Sequence, residues 1–177
     1  MVAIILRVCM LAWLLLGSAW GQVHGAIDMR PGCDSCSFHI DSLEQPFNLR
    51  GNWLFTRDDR PENKDVVLDT RDWKLVKAPG PWKAAYSDGK NYRVGWYRAT
   101  LEFAPQLMGQ EVLLLVDTYI ARTSIYLDGR TLYQRPTDAN TGRLFTVQPI
   151  PVRFTVSQPR HVVVIRVDTP NMLGIYQ

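Results

Sequence analysis

The residues best suited to chemistry crowd into one stretch, "WKAAYSDGKNYRVGWYR", Trp82 to Arg98. Aromatic rings stack on the apolar faces of sugars, and they also fill β cores. Trp82, Tyr86, Tyr92, Arg93, Trp96 and Arg98 are therefore the candidate ligand-binding residues. Lys83, Asp88, Lys90 and Asn91 add hydrogen-bonding groups between them. The segment up to Gly95 is too polar to be core as a whole, and binding loops are commonly held on a rigid β scaffold. The alternative is a loop that packs Trp82 over the edge of a core and binds nothing.

Other chemistry is poorly supplied. His24, His39 and His161 show no metal-ligand spacing, and no His-x-His or His-Glu-x-x-His run occurs. Glu102, Glu111, Asp117, Asp128 and Asp168 fall on strands or strand ends, but no spacing singles out a catalytic pair. "DANTG", Asp138 to Gly142, faintly resembles a calcium loop but lacks its closing Glu, and a plain solvated turn is the better reading. "RDDRPENKD" is most simply a solvated charged loop. These observations lead to an expectation of no catalytic residue, no metal and no cofactor.

The elements that would position the aromatic stretch are strands. In "VGWYRATLEF", Tyr97, Ala99, Leu101 and Phe103 alternate with Arg98, Thr100 and Glu102. Period two places the first set in a core and the second on a wet face. Trp96 would lie at the mouth of this strand. "FNLRGNWLFTR", "DVVLD", "DWKLVKA", "EVLLLVD", "VRFTV" and "HVVVIRVD" read as further strands, the last of them central. "TSIYLDGRTLYQ" reads as a hairpin turning at Asp128-Gly129. Trp53 and Trp73 suit core positions. No amphipathic helix of three turns is present. Many short strands separated by turn signals predict an all-β, antiparallel, jelly-roll-like sandwich.

The N-terminus is a separate matter. Arg7, the apolar run "VCMLAWLLL" and the small residues of "GSAWGQ" predict a signal peptide over residues 1–21. The competing reading is an uncleaved anchor from Val2 to Trp20. Export would place the domain in the periplasm or on the extracytoplasmic face of the inner membrane. Without residues 1–21 the chain holds 19 Lys and Arg against 17 Asp and Glu, with both signs scattered. Such a balance carries no nucleic-acid footprint. Residues 22–46 read as a linker containing Cys33 and Cys36. In an oxidising compartment a local disulfide is the plain reading of "CDSC", with redox activity as the alternative. Residues 47–177 then form the sandwich.

Five motifs in order carry a family resemblance: Gly51-x-Trp53, Asp72-Trp73, Pro79-x-x-Trp82, Trp96-Tyr97-Arg98 and the hairpin Asp128-Gly129. Together they resemble the N-terminal sugar-binding β-sandwich of glycoside hydrolase family 2, which has a galactose-binding-like jelly-roll fold. Asp128 departs from the Asn usual in that hairpin. The segment "DTYIARTSIYLDG" is also similar to the extracytoplasmic sensing domain of bacterial seven-transmembrane receptors. The resemblance spans about residues 47–172 and implies a non-catalytic module for a carbohydrate or similar small ligand. Its first implication is the sensory part of a membrane signalling receptor. The alternative is the accessory domain of a family 2 glycosidase, whose catalytic glutamates sit in a separate barrel. Either would continue into a membrane-embedded or catalytic downstream domain; a freestanding interaction sandwich is the third possibility.

Overall fold

The computed structural model describes residues 5–9, 36–80, 85–88, 90, 92–118, 122–134 and 148–168. They form an all-β sandwich. In chain order the strands are β1 (Ile5–Cys9), β2 (Ser37–Ile40), β3 (Gly51–Thr56), β4 (Lys74–Ala78), β5 (Val94–Phe103), β6 (Glu111–Thr118), β7 (Arg122–Leu127), β8 (Arg130–Gln134), β9 (Gln148–Thr155) and β10 (Arg160–Asp168). One sheet has the order β1-β6-β9. The other runs β4-β3-β5-β10-β7-β8, with β2 added parallel to β5. Apart from β1 and β2, neighbouring strands are antiparallel. No helix among the described residues is long and apolar enough to cross a membrane.

Alternation decides what each strand buries. Tyr97, Ala99, Leu101 and Phe103 of β5 join Val163, Ile165 and Val167 of β10 in the core. Facing them are Val112, Leu114 and Val116 of β6 and Ile150, Val152 and Phe154 of β9. Fully burying one such side chain is worth roughly 1.5–3 kcal/mol, so this inter-sheet layer supplies the main driving force. β10 lies between β5 and β7, as its Val-rich run predicts. Asp128 and Gly129 both take positive φ, 49° and 78°, and close the β7–β8 hairpin. Asp and Gly accept that conformation at low cost, and so the turn sits where the dipeptide puts it.

Two expectations change. "DVVLD" is no strand: Asp65–Asp69 lies in an irregular connection that follows a 3-10 turn at Pro61–Lys64. Of its apolar residues, Leu68 packs on the outer face of the larger sheet with Trp73, Trp96 and Val164, while Val66 and Val67 are exposed. The stretch read as a linker, residues 22–46, also contributes structure. Ser37–Ile40 forms β2, and Phe38, Ile40 and Leu43 enter the core. Its four residues are too short for alternation to stand out from a loop. Cys36 is buried just before β2, while Cys33 lies outside the described residues.

Candidate functional site

Three strand ends meet at one rim of the sandwich. β3 and β5 pair there through Thr56 and Trp96, and β5 and β10 through Val94 and Asp168. The connection from β4 to β5 brings Tyr86 and Tyr92 to this rim. Both pack on Phe55, with centroids 6.3 and 5.9 Å away, and meet each other edge to face at 5.7 Å. Arg57, one residue past β3, lays its guanidinium 4.2 Å from the Tyr86 ring centroid and 5.8 Å from that of Tyr92. It also pairs with Asp88 at 2.6 Å. The Tyr86 hydroxyl accepts from the Arg57 amide over 3.4 Å. Asp88 accepts the Lys90 amide at 3.1 Å, which tightens its turn. The hydrogen bond with Arg57 holds the Asp88 carboxyl below its usual range, and Asp88 raises the arginine in return.

This cluster offers solvent a guanidinium–carboxylate pair, 27% and 34% exposed, beside half-buried tyrosines. Such a pair both donates and accepts, which suits vicinal hydroxyls. The guanidinium covers one Tyr86 face, so that ring serves as a support for Arg57.

The other expected site residues are placed differently. Trp96 and Arg98 belong to β5, but their parity turns them to the opposite face from Tyr97. They are 2% and 7% exposed, so the face read as wet is covered at these positions. Trp96 stacks on Tyr126 at 5.8 Å, nearly parallel, and its indole N–H donates to Asp59 at 2.9 Å. Arg98 donates to the carbonyls of Asp65 and Val66 over 2.8 and 2.6 Å. Burial pushes this guanidinium below its ordinary value. Neither residue joins Tyr86 and Tyr92. Arg93 sits at the rim, where it grips Asp168 with two hydrogen bonds, 2.6 and 3.2 Å, and is raised by them. Trp82, Lys83 and Asn91 lie outside the described residues, as does "DANTG".

Sequence reading missed Arg57, Asp59 and Arg166. Arg166 pairs with Asp59 through 2.8 and 2.7 Å hydrogen bonds, which hold that carboxyl below its usual range. Trp96 and Arg166 lie 37 and 107 residues from Asp59, so no local spacing could have joined them. The one usable signal was charge density in "RDDRPENKD" beside a strand end.

No protein-family model matches this chain. No curated protein matches it either. Solved structures do resemble its fold. A glycosyl hydrolase family 2 member from Bacteroides cellulosilyticus aligns with TM-score 0.55 and 19% identity over 71% of this chain and 19% of its own. A β-glucuronidase from Bacteroides uniformis gives 0.51 and 18%, over 72% and 16%. A β-glycosidase from Bacteroides vulgatus gives 0.52 and 14%, over 66% and 16%. This chain thus spans less than a fifth of each of these proteins. What they share with it is a β-sandwich fold.

Proposed function

We propose that this chain is a non-catalytic binding module of the accessory kind, of the type joined to family 2 glycosidases. The observation that carries the reading is the pattern of coverage. Between 66% and 72% of this chain matches less than a fifth of each of these glycosidases. The sensory-receptor reading rests on sequence resemblance alone, and the structural neighbours favour the glycosidase alternative. The engaged state of the carboxylates fits a non-catalytic role. Asp59, Asp88, Glu102, Glu111 and Asp168 each pair with an arginine. Export by residues 1–21 and a Cys33–Cys36 disulfide remain part of the proposal.

The proposed ligand is a carbohydrate or similar small polyol, held at the rim by Arg57, Asp88 and the edge of Tyr92, with Arg93 as a flanking candidate. Concave or rim sites with a few convergent polar groups are where such ligands bind. The test is calorimetric titration of the chain with neutral and acidic mono- and oligosaccharides, alongside Arg57→Ala and Tyr92→Ala. Binding that falls at least tenfold in both folded variants supports the site. Unchanged binding in both places it elsewhere. Hydrolysis of chromogenic glycosides by the purified chain would overturn the non-catalytic reading.

A further inference from the structure

The rim cluster draws on two segments that share no strand. Arg57 follows the end of β3, and Tyr92 stands just before β5. Beside each lies a charged side chain held by β10. Asp59 accepts from Arg166 through both carboxylate oxygens, at 2.8 and 2.7 Å, and from the Trp96 indole at 2.9 Å. Arg93 grips Asp168. Arg166 and Asp168 share one face of β10, and a second Arg166 nitrogen lies 3.7 Å from Asp168. A line of alternating charge, Asp59, Arg166, Asp168, Arg93, thus runs across the end of β10 and joins the two segments.

Between Arg57 and Asp59 the backbone has little freedom. The Arg57 amide donates to the Tyr86 hydroxyl over 3.4 Å, and the Asp58 amide donates to the Thr56 hydroxyl at 3.2 Å. The Asn63 side chain, itself buried, donates to the Asp58 carbonyl at 2.6 Å. A displacement of Asp59 is therefore passed along a short, tied segment to Arg57.

We propose that Arg166, acting through Asp59, is a positioning residue of the rim site and sets where the Arg57 guanidinium stands over Tyr86. The proposal rests on the rim reading for its purpose, whereas the clamp itself can be measured without a ligand. A binding constellation keeps its geometry when the groups behind it are locked by their own hydrogen bonds. A two-pronged pairing of guanidinium and carboxylate fixes direction as well as distance.

The test follows Arg57 directly. The ring current of Tyr86 shifts the protons of a guanidinium over its face upfield. In the isotope-labelled full chain, the Arg57 Nε–H resonance, assigned by its loss in Arg57→Lys, should lie upfield of those of exposed arginines. In Arg166→Met, which keeps an apolar stem and removes both donors, it should return to their position. Ile165→Val, a core change on the adjacent residue, should lower the urea midpoint and leave the resonance in place. That control separates the clamp from a general loss of stability. In calorimetry with the saccharides that bind the parent at the rim, Arg166→Met should bind at least tenfold more weakly. A folded Arg166→Met chain with the parent's Arg57 resonance, or with the parent's affinity, would overturn the proposal. Equal displacement of the resonance in Ile165→Val would do the same. If Arg166→Met does not unfold cooperatively, Asp59→Asn, which keeps one acceptor, decides by the same resonance. A parent that binds no saccharide defeats the rim reading, while the Arg57 resonance still decides the clamp.

Discussion

His161 lies 2.5 Å from Asp128, Nδ1 to Oδ2, and the imidazole is 1% exposed. Its Nε2 accepts the Ser157 amide over 3.2 Å, and so the ring proton of the neutral form resides on Nδ1 and is donated to Asp128. The second carboxylate oxygen accepts the Val162 amide at 2.8 Å. Phe103 and Phe154 stand edge-on to the imidazole. With a Ser, a His and an Asp the set resembles a hydrolase triad, but the backbone amide of Ser157 takes the nitrogen that a nucleophile's hydroxyl would need. The pair ties the β7–β8 turn to the start of β10.

Asp128→Ala should destabilise the fold by about 1–3 kcal/mol, the usual cost of a buried donor left unpaired. Asp128→Asn keeps the turn and one acceptor, so its urea midpoint should fall between parent and alanine variant. Equal midpoints for all three would mean that the pair adds nothing to stability.

Tyr97 is 5% exposed and meets Phe55 edge to face at 4.8 Å. Its truncation in Tyr97→Ala should cost roughly 3–5 kcal/mol, as for large aromatic residues in cores. A thermal melt superimposable on that of the parent would contradict the core assignment.

Arg98 holds the connection at Asp65 and Val66 by its two carbonyl contacts. Val67, next along the chain, is 94% exposed. Arg98→Ala should speed amide exchange and proteolysis between residues 59 and 69 and lower stability by about 1–3 kcal/mol. Arg98→Lys should not restore protection, because an ammonium lacks the planar fork that spans both carbonyls. Recovery with lysine would reduce the contact to simple charge.

Acid should weaken the Asp59 anchor. The hydrogen bonds from Arg166 lower this carboxyl below its ordinary 3.8 in the folded chain. A group depressed on folding binds its proton more readily when unfolded, so its stabilisation is present above the unfolded value and lost as pH falls through the folded one. Parent and Asp59→Asn should differ at neutral pH, with the difference beginning to shrink below about pH 4 and closing only once the pH falls below the depressed folded value. A constant difference in urea midpoint down to pH 2 would assign the effect to packing. The Asp59 side chain is 43% exposed, so salt should shrink the gap as well.

Strand identity was legible in the chain because period two is a local property. β5, β10 and the Asp128–Gly129 hairpin follow from alternation, β-branching and turn chemistry within a dozen residues. The sides of β5 on which Tyr97 and Arg98 lie were legible in the same way, whereas Trp96, expected at the strand mouth, lies within the paired strand. Whether a face is wet is a different kind of fact. The outer side of β5 is covered at Trp96 and Arg98 because the connection after β3 folds back over it, and Asp59 and the Asp65 and Val66 carbonyls meet those side chains there. Likewise Tyr86 and Tyr92 were visible as candidates, but Arg57 joins them only because β3 ends beside the start of β5. β2 was hidden for a related reason: four residues carry too little alternation, and its pairing with β5 is set by a partner some sixty residues away. Local pattern determines which segments pair and which way their side chains turn. Long-range packing decides which of those side chains meet.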